Sequence, residues 1–346
     1  AIKPFSQGMV HEFNCHPFNI DNFLFMHNGD LKNFNVYKKI IMNKIDNRIF
    51  QLIKGTTDSE YVFGLIVSFL KDKEVDVINV CTANGLHAEH SLYALLNNKH
   101  VVVEKPLGLH TLNCKAVIAQ SEEVGRHVFC VMQNRFSPPS VWIKDVIDNK
   151  LLGDIYMVQL NCFWNRDDRY YKKGGWKGTI QMDGGTLFTQ FSHFIDMMYW
   201  LFGDITDIKG KFENYRHQDS TEFEDSGIIN FSFVNGGLGS FNYSTAVWDK
   251  NIESTITIIG SKGSVKLGGQ YMEEVQHCHI DNYKMPELPT LSTKHDYGDY
   301  KGAAANHHFI IENVIDTLNG NAEISINAAD GLKVVDIIER MYQQRN

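Results

Sequence analysis

Residues 75–106 read VDVINVCTANGLHAEHSLYALLNNKHVVVEKP, and this stretch decides the fold class of the 346-residue chain. The run 75–82 is short, apolar and β-branched, which is typical of a buried strand. Leucines at helical spacing follow within 87–97, and a second valine-rich run occupies 100–104. Strand, helix and strand at this spacing predict parallel strands with a helix packed on the sheet.

The same alternation continues downstream, with a predicted helix at 112–124 and a third strand at 127–132. Consecutive units of this kind predict an α/β, Rossmann-like dinucleotide-binding domain. Ligands of such a domain bind beyond the carboxyl ends of the parallel strands. The sequence therefore predicts a site at the turns that follow residues 82 and 104.

The second half of the chain changes pattern, and Asn235-Gly236 between two alternating runs is a strong hairpin signal. The predicted strands span 155–164, 227–234, 238–245, 255–260 and 264–267, and helices are predicted near 193, at 306–318 and at 328–341. These elements predict an α+β domain with an open antiparallel sheet, of which helices cover one face. We expect the other face to form a homo-oligomer, either a dimer or a tetramer.

The composition excludes several classes of partner. A formal net charge of −8 argues against nucleic acid, whose binding depends on clustered Lys and Arg. No apolar run approaches the ~20 residues that span a bilayer, so no membrane partner is expected. The six cysteines include no CxxC pair, which favours reduced thiols and a cytoplasmic location. The close histidine pairs at 277/279 and 307/308 lack partners at a ligand spacing, so no metal is expected.

Two segments contain residues suited to catalysis. Residues 104–106, with the sequence EKP, follow the second strand, and Lys105 is either a site residue or a solvated loop lysine. The second segment follows the glycine pair at 184–185. If a helix begins there, Thr189, His193 and the residues at 196 and 200 share one face. His193 is then either a hydrogen-bonded core histidine or a general base that acts near neutral pH.

Three motifs in this order resemble the Gfo/Idh/MocA oxidoreductases: VCTxNxxH at 80–87, EKP at 104–106, and two glycines followed by HxxD at 184–196. The resemblance extends from about residue 74 to the C-terminus. It implies a dinucleotide-binding domain with NAD as cofactor, NADP being left open, and a second domain that holds a sugar or sugar nucleotide. The version GGxLxxQxxH is similar to that of dehydrogenases acting on UDP-N-acetylglucosaminuronate, which implies oxidation at C3 of that sugar.

The resemblance also implies roles for individual residues. Lys105 and His193 would form the catalytic pair, in which His193 takes the hydroxyl proton and Lys105 hydrogen-bonds to the same oxygen. The implied cofactor-binding residues are Thr82, Asn84, His87, Glu104, Lys105, Gln133, Arg135 and Trp176, and the implied substrate-binding residues are Lys105, Thr189, Gln190, His193 and His307. Thr189 departs from the family pattern, because Asp or Asn commonly stands there.

The first 72 residues lack the GxGxxG turn with which such a domain begins and which holds the cofactor pyrophosphate. Instead, HNGDL at 27–31 and GTTDSE at 55–60 resemble class II glutamine amidotransferases. The resemblance assigns oxyanion stabilisation to Asn28 and Gly29 and glutamine binding to Asp58. The nucleophile of that family is an N-terminal cysteine, whereas residue 1 is Ala and Cys15 is internal. We therefore expect an inactive remnant.

The predicted organisation has three parts: an amidotransferase-like segment at 1–72, the second half of a dinucleotide-binding domain at 73–137, and a substrate-binding and oligomerisation domain at 138–346. The predicted function is hydride transfer between a sugar or sugar-nucleotide carbon and a nicotinamide. Two alternatives stay open. One is a non-catalytic sugar-binding or scaffold protein that has lost its cofactor site, and the other is a remnant glutamine amidotransferase.

Overall fold

A computed structural model describes residues 18–20, 23–25, 34–53, 58–71, 75–172, 174–289, 295–296, 301–302 and 306–345. The chain divides into two compact units. The first comprises Ala1–Ile78 with Ala94–His100, and the second comprises Asn79–Tyr93 with Val101–Asn346. Asn28, Gly29 and Cys15 lie outside the described residues, so the amidotransferase-like assignment stays a prediction.

Among its described residues before residue 72, the first unit contains a hairpin and three helices. The hairpin pairs β1 (Phe18–Ile20) with β2 (Phe23–Phe25), and the helices are α1 (Phe34–Lys44), α2 (Asn47–Phe50) and α3 (Asp58–Lys71). Asp58 is therefore the first residue of α3. The helices pack through aromatic side chains, as the rings of Phe34 and Tyr61 lie 5.8 Å apart. The Ser68 hydroxyl accepts a hydrogen bond from the amide of Asp46, the residue that caps α2.

The predicted strand–helix alternation is confirmed between residues 77 and 131. The elements are β3 (Val77–Val80), α4 (His87–Leu96), β4 (His100–Glu104), α5 (Thr111–Val124) and β5 (Val128–Val131). The strands form a three-stranded sheet in the order β3-β4-β5, in which β4 and β5 run parallel. Val101, Val102 and Val103 are buried, which explains why this run forms an interior strand.

The second half of the chain forms a seven-stranded sheet in the order β12-β11-β10-β6-β9-β8-β7. Its strands are β6 (Ile155–Phe163), β7 (Ile205–Glu213), β8 (Ser226–Phe233), β9 (Leu238–Ser244), β10 (Glu253–Gly260), β11 (Gly263–Gly268) and β12 (Glu274–Ile280). The helices of this part are α6 (Pro138–Asp148), α7 (Thr186–Thr189), α8 (Ser192–Phe202), α9 (His307–Leu318) and α10 (Ala328–Tyr342). Two short strands, β13 (His295–Asp296) and β14 (Lys301–Gly302), pair separately.

The sheet differs from the predicted antiparallel meander at its centre, where β6 and β9 run parallel. The chain leaves β6, passes through α7, α8, β7 and β8, and returns beside β6 in the same direction. A parallel neighbour requires such a long connection, which local sequence patterns do not reveal. The remaining neighbouring pairs are antiparallel, as predicted.

The core of the second unit lies between the inner face of this sheet and the helices. Trp164 and Phe191 make an edge-to-face contact at 5.2 Å, and Phe191 also packs on Phe241 of β9. Helix α10 begins with a capping box formed by Asn327 and Asp330. No described helix combines the length and apolar character that a bilayer span requires.

Candidate active site

Lys105 follows β4 directly and lies at the carboxyl edge of the three-stranded sheet, as predicted. Its ammonium donates a hydrogen bond to the carbonyl oxygen of Thr189, at 2.5 Å. The pKa of Lys105 is lowered to about 8, mainly by burial and also by the charge of Arg166, while the charges of Glu104 and Asp183 act in the opposite direction. The side chain is thus a partly desolvated cation with two N–H donors left for a ligand.

The glycine pair before α7 allows the chain to approach the C-terminal helix closely. Gly185 has a φ of 122°, and a Cβ at this position would lie 2.5 Å from the Tyr342 hydroxyl oxygen. That hydroxyl accepts a hydrogen bond from the amide of Leu187 and donates one to Glu224, at 2.9 and 2.8 Å. A side chain at Gly185 would therefore displace α7, which supplies the Thr189 carbonyl to Lys105.

The predicted single helix through residues 189–200 is wrong, because the chain breaks between α7 and α8. Phe191, the N-cap residue of α8, has φ −116° and ψ 5°, and its buried ring fills the core. Thr189 consequently ends one helix while His193 lies in the first turn of the next. The break turns the Thr189 carbonyl toward Lys105, an arrangement that a continuous helix would not allow because the carbonyl would bond to residue 193.

His193 is held in a neutral form. Burial lowers its pKa well below 6.5, and the charges of Lys105 and His307 lower it further. Its Nδ1 atom is buried and has no hydrogen-bond partner among the described residues. A neutral imidazole with an unpaired nitrogen beside a lysine ammonium is chemically suited to accept a proton from a hydroxyl that the lysine also binds.

Thr189 is held by two neighbours. Its hydroxyl accepts a hydrogen bond from Asn84 Nδ2 at 2.6 Å and contacts a carboxylate oxygen of Asp183. Asp183 is fully buried, and this burial raises its pKa, while its other oxygen accepts from the amide of Gly178. The sequence analysis did not single out Asp183. A signal was available, since Asp183 directly precedes the glycine pair at 184–185.

Glu104 and His307 complete the polar rim near Lys105. The Nε2 atom of His307 lies 3.5 Å from a carboxylate oxygen of Glu104. Burial opposes ionisation of Glu104, but the contact with His307 and the charge of Lys105 outweigh it and lower the pKa of this carboxyl. His307 is the first residue of α9, so the C-terminal part of the chain contributes to the same site as β4.

The predicted cofactor-side residues have different surroundings. Thr82 is exposed, and its hydroxyl lies 3.0 Å from His90 Nδ1. His87 is buried, with its ring nitrogens 2.7 and 2.9 Å from the carbonyl oxygens of Pro106 and Thr82, so it links the turn after β3 to the turn after β4. The Oε1 atom of Gln133 is buried without a partner in the described part of the chain.

Arg135 and Trp176 lie outside the cluster around Lys105 and His193 that the hydrogen bonds define. Arg135 is buried and forms ion pairs with Asp196 of α8 and Asp330 of α10, so its guanidinium is occupied by carboxylates. Trp176 is partly exposed beside Lys177, whose ammonium is 5.9 Å from its ring. The cofactor-binding role of both residues stays a prediction.

Gln190 lies beside Thr189 and connects it to residues that the sequence analysis missed. Its Oε1 atom accepts a hydrogen bond from Arg166 Nε, and its Nε2 atom donates to the Tyr170 hydroxyl, both at 2.7 Å. The ammonium of Lys177 lies 3.8 Å from the Tyr170 ring centroid. The stretch 164–177 is rich in aromatic and basic residues, which was the available signal.

These positions fit the nicotinamide end of a dinucleotide. A cationic donor at Lys105, a neutral base at His193 and the unpaired amide oxygen of Gln133 are the groups that can position a substrate hydroxyl and a carboxamide-bearing ring. In the part of the chain that the structure describes, no Gly-rich turn joins a strand to a helix before β3. The residues around Lys105 therefore suit the nicotinamide end of the cofactor, and their cofactor-binding role stays a prediction.

Both halves of the chain match known protein families. Residues 51–131 match the oxidoreductase family with an NAD-binding Rossmann fold, and residues 141–266 match the GFO/IDH/MocA C-terminal domain. The first match begins before residue 73, where the sequence analysis placed the start of the dinucleotide-binding part. It confirms NAD as the cofactor of this domain type, and the boundaries proposed at 72 and 137 remain predictions.

Two solved structures are similar over most of the chain. The WlbA dehydrogenase from Bordetella pertussis, in complex with NADH and UDP-GlcNAcA, has a TM-score of 0.70 and 27% identity, covering 81% of this chain and 79% of that one. The WlbA dehydrogenase from Chromobacterium violaceum, with the same ligands, has a TM-score of 0.70 and 30% identity, covering 81% and 78%.

Sequence relatives cover the chain less completely. An uncharacterized oxidoreductase of Synechocystis is 24% identical over 265 residues, 71% of this chain and 70% of the relative. Inositol 2-dehydrogenase of Salmonella typhimurium is 28% identical over 228 residues, 65% of this chain and 57% of the relative.

A partial match supports the other resemblance. It is to "Probable glutamine amidotransferase DUG3" of Saccharomyces cerevisiae, with 38% identity over 69 residues, 20% of this chain and 19% of that protein.

The two domain matches together with the WlbA likeness decide the family. The chain belongs to the Gfo/Idh/MocA family of oxidoreductases.

Proposed function

We propose that the chain is an NAD-dependent dehydrogenase that oxidises a hydroxyl-bearing carbon of a sugar or sugar nucleotide. The observation that supports this most strongly is the convergence of Lys105 and His193. The ammonium of Lys105 bonds to the carbonyl at the end of α7, and its charge helps to keep the imidazole at the start of α8 neutral. A protonated lysine, which can donate a hydrogen bond, and a neutral histidine, which can accept a proton, thus share one site.

Each residue has a defined part in the reaction. The substrate hydroxyl donates its proton to the neutral imidazole of His193 as the carbon–hydrogen bond breaks and the carbonyl forms. Lys105 donates a hydrogen bond to the same oxygen and stabilises the negative charge that develops on it. NAD, when bound, accepts the hydride and so supplies the two-electron oxidation. Thr189, Asn84 and Asp183 hold Lys105 in place through the hydrogen bonds described above.

UDP-N-acetylglucosaminuronate, oxidised at C3, is the first substrate to test. The two WlbA dehydrogenases, which are similar to this chain over about four-fifths of their length, are described in complex with this sugar nucleotide. The inositol 2-dehydrogenase relative makes a polyol the second substrate to test. We propose Lys105, Thr189, Gln190, His193 and His307 as the substrate-binding residues.

The test combines cofactor binding with turnover. Nicotinamide fluorescence during titration with NADH and NADPH measures cofactor binding, and absorbance at the reduced-nicotinamide band measures turnover. Lys105→Met and His193→Asn should each reduce kcat/KM by ~10²- to 10⁴-fold, the usual contribution of a positioned acid or base. Matched controls are Lys115→Met and His279→Asn, which change exposed residues on α5 and β12. Turnover that survives both site variants would refute the assignment.

A second candidate function is sugar binding without catalysis. The feature that favours it is the N-terminal part, in which β1 and β2 pair with each other and the sequence contains no GxGxxG turn. This candidate predicts that sugars bind with the same affinity in the presence and absence of NADH, and that NADH alone does not bind. The fluorescence titration therefore separates the two functions.

We propose that the open face of the large sheet forms a homo-oligomer, with a second copy of the chain as its partner. Ile259, Met157 and Leu238 lie side by side in register across β10, β6 and β9, and all three are exposed. An uncharged apolar stripe on the exposed face of a sheet can pack against its own copy about a two-fold axis.

A further inference from the structure

A group of aromatic and basic residues lies beside the proposed catalytic pair. The guanidinium of Arg166 lies over the rings of Trp164 and Tyr170, with its Cζ atom 4.7 and 5.2 Å from the ring centroids. Lys177 lies over Tyr170 at 3.8 Å. Both cations therefore face the same tyrosine, and Gln190 joins them to Thr189, the acceptor of Lys105.

The positive charges in this group exceed the negative ones. Arg166 donates to neutral oxygens, namely Gln190 Oε1 and the carbonyl of Asn165 at 2.7 Å and Asn251 Oδ1 at 3.5 Å. Within the described residues, neither Arg166 nor Lys177 has a carboxylate within ion-pairing distance. The fully buried Asp183 is the carboxyl that influences both Lys105 and Lys177, and burial favours its neutral form.

Two nearby acidic residues contact basic side chains. Asp167 accepts three hydrogen bonds from the guanidinium of Arg169, and Glu104 contacts His307. Three cations, Lys105, Arg166 and Lys177, thus lie near two carboxyls, Glu104 and the buried Asp183, in a chain whose formal net charge is −8. Because like charges repel and each loses hydration by partial burial, this arrangement is favourable once an anion joins it.

We propose that Arg166 and Lys177 bind an anionic group of the substrate, a carboxylate or a phosphate, next to the sugar ring that Lys105 and His193 oxidise. This rests on the proposed function and names the substrate class within it. A guanidinium can hold either anion with two parallel hydrogen bonds, and an ammonium adds a point charge. The bonds from Gln190 and the ring of Tyr170 keep Arg166 in one orientation before the ligand arrives.

Isothermal titration calorimetry without NAD tests binding separately from turnover. The ligands are UDP-N-acetylglucosaminuronate, UDP-N-acetylglucosamine, free N-acetylglucosaminuronate and free N-acetylglucosamine. The proteins are the full chain, Arg166→Met, Lys177→Met and the control Lys115→Met. We expect each site variant to raise the Kd of anionic ligands by ~10- to 100-fold, the usual value of a charge-assisted hydrogen bond. The control and the neutral sugar should show no change.

The ligand set identifies the source of the anion. If the carboxylate occupies the site, the loss appears for both uronates and is absent for UDP-N-acetylglucosamine. If the diphosphate occupies it, the loss appears for both UDP-sugars and is absent for the free uronate. Equal losses for charged and neutral sugars, no loss for any ligand, or no binding of any anionic sugar by the folded chain would overturn the proposal. A chain that shows the expected losses yet has no dehydrogenase activity would refute the proposed function alone.

Discussion

Lys105→Met is expected to stabilise the folded chain while abolishing its proposed activity. Burial lowers the pKa of Lys105 from 10.5 to about 8. Because one pKa unit corresponds to ~1.4 kcal/mol, holding the ammonium in the folded state costs about 3 kcal/mol at pH 7. Methionine has a similar length and no charge. Subtracting ~1 kcal/mol for the lost hydrogen bond to Thr189 leaves a gain of about 2 kcal/mol in the free energy of unfolding.

The pH dependence of this gain has a defined sign. Between pH 8 and 10.5 the unfolded chain binds more protons at Lys105 than the folded chain does, so the stability contributed by this residue rises with pH. The cost of the ammonium is fully present below pH 8 and is lost as the pH approaches 10.5. The advantage of Lys105→Met over the natural chain should therefore shrink steadily across that window.

Urea unfolding followed by tryptophan fluorescence measures the free energy of unfolding of the unit that contains Lys105. All five tryptophans lie between residues 142 and 248, in the same compact unit as Lys105. The control Lys115→Met changes an exposed lysine and should alter the unfolding free energy by less than ~0.5 kcal/mol. A Lys105→Met variant that is less stable than the natural chain at pH 7, or whose advantage stays constant up to pH 10, would refute the reasoning.

Three further predictions concern the site, the core and the sheet face. The value of kcat/KM should fall as the pH rises through about 8, because Lys105 loses its proton there. On the acid side, kcat/KM should fall only well below pH 6.5, because His193 stays neutral down to that range. A fall on the acid side that is centred at or above pH 6.5 would contradict the assignment. Arg135→Met should reduce the urea-derived stability by ~3–5 kcal/mol because it leaves the fully buried Asp196 unpaired, and a loss below ~1 kcal/mol would show that the ion pair is not needed. Leu238→Glu should convert the oligomer to monomers in light scattering, and an unchanged mass would exclude this face as the interface.

Most elements of the fold follow from local patterns. The valine-rich β4 has no polar position in its centre, so it must lie inside a sheet, and the leucines of α4 give that helix one apolar face. The hairpin at Asn235 likewise follows from its glycines, both of which have positive φ. Strand β12 was not predicted, because its exposed positions include two histidines and a glutamine, so apolar and polar residues hardly alternate along it.

The site was predictable in part. Lys105 and His193 could be proposed because they stand in short motifs that resemble those of the family. Arg166 and Lys177 could not, because they come from an irregular stretch, and nothing in its sequence shows that it meets Gln190. Arg135 occurs where a cofactor residue is expected, yet carboxylates far along the chain, at 196 and 330, decide its contacts.

The sequence by itself determined the strand–helix alternation, the family and the identity of the two proposed catalytic residues, since each depends on side chains close together in the chain. Tertiary structure alone decided the parallel pairing of β6 with β9 and the break between α7 and α8. It also decided that Arg166 and Lys177 meet at the ring of Tyr170. The physical reason is that burial and electrostatic fields sum over residues distant in sequence, so no local pattern records them.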